Sequence, residues 1–167
     1  MRYNKREREV LNMKKIFALI LTTLLIATVF TACGGSAKNV DLKAVMEQIN
    51  STYGLDGLKN IEDTDGLHRY YQIEANQVKQ FAAELTANAS SYNEVVIVEA
   101  VDQSAADAVE TQLNARRRSQ LSTAKSYDAE QVSMIEGCEV KTNGNFVYLV
   151  IGDQYDKIVA DIEAAIQ

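Results

Sequence analysis

The sequence predicts a single α+β domain in which a four-stranded sheet packs against amphipathic helices. Three observations support this prediction. An Asn-Gly pair separates two runs of strand-favouring residues, a segment near the middle of the chain is apolar on both faces, and several other segments carry apolar residues at helical spacing. The roughly 135 residues from Cys33 to the end are enough for one compact core.

The first half of the domain is predicted to alternate between helix and strand. A helix begins after Asp41, which is a favourable capping residue. Residues 55–67 contain glycines and an acidic cluster, so they are predicted to form a loop with a short extended piece at 58–61. Residues 68–74 (HRYYQIE) favour the first strand of the sheet. Asn76 then caps a second helix whose apolar residues share one face.

The second half supplies the rest of the sheet. Residues 94–101 carry apolar side chains at both odd and even positions, which is typical of a central strand that is covered on both faces. A capping-box signature then opens a long helix. Residues 138–142 and 145–151 are predicted to form a β-hairpin with Asn143 and Gly144 in a type I′ turn. A last amphipathic helix follows, and the sheet has four strands in all.

The N-terminal stretch has the three-part layout of a bacterial export signal. Lys14 and Lys15 precede an apolar run at 16–30, and small residues then lead to Cys33. The last four residues of this stretch, FTAC, resemble the lipobox of bacterial lipoproteins, with Phe30 in place of the usual leucine. That resemblance implies that Cys33 becomes the mature N-terminus and carries at least two acyl chains such as palmitate, which is enough for stable membrane attachment.

This interpretation divides the chain into three parts. Residues 1–32 are the signal peptide, with translation starting at Met1 or at Met13. Residues 33–39 are the lipidated cysteine and a flexible tether, and residues 40–167 are a single extracytoplasmic domain. Two alternatives are an ordinary secretory signal with an incidental cysteine and an uncleaved membrane anchor. The anchor is disfavoured because the apolar run is short and diluted by threonines.

The charge of the mature chain limits its partners. From Cys33 onward the chain has 21 acidic and 11 basic residues. A domain this acidic repels nucleic acid phosphates and anionic lipid head groups, so no nucleic acid partner is predicted. The acidity either keeps an exported domain soluble or forms an acidic binding face.

The sequence contains no pattern that is typical of catalysis or metal binding. His68 is the single histidine, and no cysteine lies near it at ligand spacing. The acidic stretch before Gly66 does not match a calcium-binding loop, and an irregular cation site through Asp63 and Asp65 is the alternative to a solvated turn. We therefore predict no metal and no cofactor, and enzymatic activity is disfavoured.

Two further groups of residues are interpreted as structural. Cys138 has no cysteine to pair with once Cys33 is lipidated, so it is predicted to be a small buried apolar residue. The arginines at 116–118 fan around a helix and cannot form one patch, so most of this run is interpreted as a solvated helix face.

Arg69, Tyr70 and Tyr71 are the candidate contact residues. On the predicted strand the two tyrosines face opposite sides, so one faces the helices and the other faces outward. An exposed tyrosine beside an arginine is suited to a contact with a protein or a glycan. The alternative is an aromatic fringe that closes the core.

Four dispersed motifs are the tyrosine-rich segment Arg69-Tyr70-Tyr71, the entry Asn93-Glu94 to an apolar strand, a long helix that ends in a turn at 127–132, and the hairpin residues 143–147. Together they resemble an exported lipoprotein family that is known as domain of unknown function 4358. The resemblance covers roughly residues 40–166 and implies a lipid-anchored extracytoplasmic domain of Gram-positive-type cells, with no assigned activity or catalytic residues.

The function expected from these observations is that of an uncharacterised lipoprotein, anchored in the cell membrane through Cys33 on the extracytoplasmic side. It would act as a non-enzymatic binding or accessory module for an envelope protein or ligand. The alternative function is a small cell-envelope hydrolase that uses Asp or Glu chemistry. A solute receptor for a transporter is disfavoured because a two-lobed receptor needs more than one domain.

Overall fold

The computed structural model describes residues 40–55, 57–87 and 91–167. The predicted signal peptide, the lipidation site at Cys33 and the tether lie outside the described residues. The described residues belong to one compact unit, Val40–Gln167. Within them, no helix is both long enough and apolar enough to cross a membrane.

The described part of the chain forms a five-stranded antiparallel sheet with helices on both faces. The strand order is β1-β2-β3-β5-β4, so β3 is the middle strand. The strands are β1 (Leu58–Asn60), β2 (Val78–Thr86), β3 (Glu94–Ala100), β4 (Val140–Asn143) and β5 (Phe146–Ile151). The α+β class is confirmed, but the prediction of a four-stranded sheet is wrong.

Five helices among the described residues cover the sheet. Helices α1 and α5 pack on one face, here called the α1 face, and helices α2, α3 and α4 pack on the other, here called the α3 face. The helices are α1 (Leu42–Tyr53), α2 (Thr64–Tyr71), α3 (Gln103–Tyr127), α4 (Val132–Gly137) and α5 (Tyr155–Ile166).

Strand β3 contributes to the apolar core on both faces of the sheet. Val95 and Ile97 lie in the core of the α1 face, whereas Val96 and Val98 lie in the core of the α3 face. All seven residues of β3 are buried. The prediction of a central strand covered on both faces is therefore confirmed.

Most of the predicted first strand at 68–74 lies instead in helix α2, which ends at Tyr71. Helix α2 begins after Asp63, whose side chain accepts a hydrogen bond from the Gly66 N–H, and its buried residues Leu67 and Tyr71 are four positions apart. Gln72 ends the helix in a left-handed conformation with φ of 60°. Capping at both ends and one apolar face therefore outweigh the strand preference of tyrosine.

The helix predicted after Asn76 is instead strand β2. Its residues fit both periods, because Phe81, Ala83 and Leu85 lie on the α3 face whereas Ala82 lies on the α1 face. The pairing of β2 with β3 places those residues in the interior of the sheet. Tertiary pairing thus overrides the helix preference of the Lys, Gln, Ala and Glu residues in this segment.

The predicted hairpin is present, with a different turn. Strands β4 and β5 pair as an antiparallel hairpin, and Asn143 lies opposite Phe146. The central turn residues are therefore Gly144 and Asn145, and only Gly144 has a positive φ, of 57°. This pattern is typical of a type II′ turn, whose first central position favours glycine, so the predicted type I′ turn at Asn143 and Gly144 is wrong.

A polar cluster fixes the start of α1 to the sheet. The Gln80 side chain donates through Nε2 to the Val40 carbonyl (2.7 Å), and its Oε1 accepts from the Leu42 N–H (3.3 Å). The same Nε2 donates to Glu99 Oε2 (2.6 Å), and Lys79 Nζ donates to Glu99 Oε1 (2.6 Å). The first described residues are therefore held directly by Gln80 on β2, which Glu99 on β3 in turn positions.

Candidate functional site

Helix α2 carries all three predicted contact residues and divides them between solvent and core. Arg69 is exposed, Tyr70 is half-buried and Tyr71 is 2% exposed. The strand prediction also separated the two tyrosines, but the geometry here is helical, and consecutive side chains are about 100° apart. Arg69 and Tyr70 are thus available at the surface, whereas Tyr71 belongs to the core.

Tight packing at Gly66 sets the position of α2 against the end of β1. A Cβ at Gly66 would lie 2.7 Å from Ile61 Cγ2 and 3.2 Å from Asp63 Oδ1. Ile61 is itself buried in the core of the α3 face. A side chain at position 66 would therefore push the helix away from the segment that follows β1.

A surface cleft of about 400 Å³ lies between α2 and the end of β1. Arg69 and Tyr70 line one side, and Lys59 and Asn60 line the other. Its remaining lining residues include three carboxylates: Glu62, Asp63 and Asp65. The cleft therefore combines an aromatic ring with charges of both signs, which suits polar recognition of a protein or glycan surface.

Beneath α2 lies an ion pair that joins β3 to α3. Glu94 is 1% exposed and sits at the start of β3. Arg116 on α3 donates from Nη2 to Glu94 Oε2 (2.7 Å) and from Nε to both carboxylate oxygens (3.0 and 3.3 Å). The Arg116 side chain is only 21% exposed. This bidentate geometry holds α3 in a fixed register on the sheet.

The ionisation of this cluster reflects its burial. Burial raises the pKa of the Glu94 carboxyl, and the hydrogen bonds from Arg116 offset only part of that rise. Burial alone would lower the pKa of Arg116, but its hydrogen bonds and attraction to Glu94 raise it above the ordinary value. Burial also raises the pKa of Tyr71 well above its usual range, and the charge of Glu94 adds to that effect.

Tyr71 completes the buried cluster. Its ring lies under the Arg116 guanidinium, with 5.6 Å between Cζ and the ring centroid, which is a cation–π contact. The Tyr71 hydroxyl is buried and has no hydrogen-bond partner among the described residues. Because Arg116 occupies both Glu94 oxygens, this carboxylate is suited to positioning rather than to proton transfer with a substrate.

The remaining titratable candidates lie near α2 but do not assemble a metal site. His68 Nδ1 is 3.2 Å from Glu74 Oε1, and both side chains are exposed. Asp63 Oδ1 is used to cap α2, which favours the turn interpretation over a cation site with Asp65. Within residues 40–55, 57–87 and 91–167, no group of three or more His, Cys, Asp or Glu side chains could hold a metal ion.

The sequence prediction missed the pairing of Glu94 with Arg116. The sequence predicts a mainly solvated helix face at 116–118, yet Arg116 is mostly buried and Arg117 donates to the Glu136 carbonyl (2.9 Å). One available signal was a glutamate that opens an otherwise apolar strand, because a charge there requires an opposite charge from a neighbouring element. Which arginine supplies that charge depends on how α3 packs.

Cys138 occupies the position that the sequence predicted for it. It is buried, and its Sγ lies 3.2 Å from the Met134 carbonyl oxygen, to which the thiol donates. Burial raises the pKa of this thiol, which disfavours the reactive thiolate. Cys138 therefore packs as a small apolar residue.

Comparison with known proteins identifies a family. A family model described as Domain of unknown function (DUF4358) matches residues 51–152. This range includes all five strands of the described sheet, the α2 cleft and the Glu94–Arg116 pair. No curated protein matches the chain. No solved structure matches it either.

Proposed function

The chain belongs to the family described as Domain of unknown function (DUF4358), and from this premise we propose that it is a lipid-anchored binding or accessory module at the outer face of the cytoplasmic membrane. Its role is non-enzymatic: it contacts another envelope protein or a ligand. The stretch that ends at Cys33 carries this proposal, because it combines a basic start, an apolar run and small residues before a cysteine.

The short connection between anchor and domain supports a role close to the bilayer. Six residues lie between Cys33 and Val40, so the connection has seven residue-to-residue steps and, at most about 3.5 Å per step, reaches no further than about 25 Å. A diacylated cysteine would thus hold the domain within a few nanometres of the membrane surface, where envelope proteins are available. The high local concentration strengthens weak contacts.

The described surface supports binding more than catalysis. The α2 cleft presents Arg69 and Tyr70 beside charges of both signs, which is a composition suited to a protein contact. The most deeply buried carboxylate, that of Glu94, is fully engaged with Arg116. We therefore propose that Arg69 and Tyr70 contribute to the partner-binding surface.

Metabolic labelling tests the anchor. Cells that express the full-length chain are grown with radiolabelled palmitate, and the label should be lost in Cys33→Ala. The matched control is Cys138→Ala, which removes the other cysteine of the chain and should retain the label. Label that persists in Cys33→Ala would contradict the lipoprotein proposal.

Photo-crosslinking tests the contact surface. A photoreactive residue at position 69 should give a discrete adduct with an envelope component in living cells. The control position is Lys157, which is exposed on α5 across the sheet from α2. Equal adduct patterns from positions 69 and 157 would argue against a specific partner at the α2 cleft.

A further inference from the structure

Strand β1 covers only one end of its neighbour β2. Its three residues pair with Glu84, Leu85 and Thr86, whereas β2 begins at Val78. After Ile61, whose N–H donates to the Ala83 carbonyl (2.8 Å), the chain turns away into α2. No described strand lies beside the first half of β2 on this side.

The register shows which backbone groups of β2 face this open edge. The Thr86 N–H donates to Asn93 (2.9 Å) on the β3 side, whereas the Ala83 carbonyl accepts from Ile61 on the β1 side. Phe81 lies opposite Val98 and is two residues from Ala83, so by the alternation of antiparallel pairing its backbone groups point to the same side as the Ala83 carbonyl. The N–H and C=O of Phe81 therefore point to the open edge.

A groove of about 350 Å³ lies at this edge. Helix α1 forms one wall, the residues that follow β1 form one end, and β2 forms the floor. Met46 and Ile61 give it an apolar lining. The charged residues of its lining are one lysine and three glutamates: Lys43, Glu47, Glu62 and Glu84.

From this geometry we propose that the groove binds an extended, basic segment of a partner protein, which pairs with β2 as an added strand beside Phe81. An extended polypeptide supplies the alternating N–H and C=O groups that an open sheet edge requires. The excess of glutamates over lysine favours a segment with positive charge. The inference rests on the binding role proposed above and does not depend on the lipid anchor.

Selection from a pool of random 12-residue peptides tests this inference. The full-length chain is immobilised in detergent, and enriched peptides are sequenced and resynthesised. They should be basic and should slow hydrogen exchange of the Phe81 amide. Peptides that are not basic, or that leave the exchange of this amide unchanged, would overturn the inference. Methylation of alternate backbone nitrogens in an enriched peptide should abolish binding, because it removes the donors that pair with the edge.

Charge reversal at the groove provides the matched comparison. Glu47→Lys with Glu62→Lys should weaken the binding of a selected basic peptide by at least about tenfold. The control pair, Asp107→Lys with Glu130→Lys, changes the net charge equally at exposed sites outside the groove and should leave the affinity nearly unchanged. Equal weakening in both pairs would show that only net charge matters and would overturn the assigned site.

The outcomes separate this inference from the proposed function. If position 69 crosslinks to a specific envelope component but no selected peptide slows hydrogen exchange of the Phe81 amide, the groove proposal is wrong and the binding role stands. If neither occurs, both are wrong. Palmitate labelling is independent of both results.

Discussion

Strand β3 buries two glutamates in two different ways. Glu94 begins the strand on the α3 face and pairs with Arg116, which is itself mostly buried. Glu99 lies near the other end, where it is 7% exposed and pairs with Lys79, whose side chain is 57% exposed. The first pair is sealed by the helices, whereas the second is open to water on its cationic side.

This difference shows what each pair contributes to the fold. A sealed pair must satisfy its charges internally, so the loss of one partner leaves the other charge without solvent. At the open pair, water replaces much of a lost partner. The Glu94 pair therefore specifies how α3 docks, whereas the Glu99 cluster fixes the start of α1 through Gln80.

The largest expected effect is at the sealed pair. Arg116→Ala should lower the free energy of unfolding by about 3–5 kcal/mol, because Glu94 becomes an uncompensated buried charge. Replacing both residues, as Glu94→Met with Arg116→Met, should recover most of that loss. Urea denaturation followed by circular dichroism measures both. A double variant as unstable as Arg116→Ala would show that lost packing, rather than the unpaired charge, causes most of the loss in unfolding free energy.

The pH dependence of stability sharpens the same contrast. Because burial raises the pKa of Glu94 above its ordinary value of 4.5, the folded protein binds this proton more tightly than the unfolded chain does. As the pH rises above 4.5, the unfolding free energy of the wild type should therefore fall, because Glu94 loses its proton. Glu94→Gln has no proton to lose at this position and should not show this decrease.

The measured quantity is the difference in unfolding free energy between wild type and Glu94→Gln across a pH series. It should shift in favour of the variant as the pH rises. The change is limited to one ionisation, so it should be smaller than the effect of Arg116→Ala. A shift in favour of the wild type would mean that Arg116 lowers the pKa of Glu94 more than burial raises it.

The smallest effects are expected at the open cluster. Gln80→Ala should cost about 1–2 kcal/mol, because it removes hydrogen bonds to Val40, Leu42 and Glu99. Lys79→Ala should cost less than about 1 kcal/mol because its charge is exposed. Hydrogen exchange of the Leu42 amide should accelerate in Gln80→Ala only. Equal acceleration in Lys79→Ala would mean that the Lys79–Glu99 ion pair, rather than Gln80, holds the start of α1.

The sequence predicts most reliably the elements whose residue patterns fit only one type of secondary structure. The apolar run at β3 predicts a central strand, and the Asn-Gly signal before β5 predicts a hairpin. Both predictions are confirmed. The apolar residues of segment 78–86 fit the helical and the strand period equally, so only pairing with β3 determines that the segment is a strand. The strand prediction for segment 68–74 is wrong because its tyrosines favour a strand while the Asp63 cap favours a helix.

The candidate sites were less predictable than the fold. The prediction of Arg69 and Tyr70 rests on residue type and on a predicted strand, whereas their surface positions depend on helix α2. The open edge at Phe81 could not be predicted, because it exists only where β1 stops short of the full length of β2. Residue chemistry is local, but an uncovered strand edge is a property of the whole sheet.

The Gln80 cluster also gives the domain a defined path for mechanical load. The Val40 carbonyl is held by Gln80, which is in turn bound to Glu99 on the neighbouring strand. Tension that arrives through the preceding chain would therefore act on the two hydrogen bonds between Gln80 and residues 40 and 42 before it could unwind α1. In a domain pulled from this end, the side-chain contacts of Gln80 on β2 should therefore break before α1 begins to unwind.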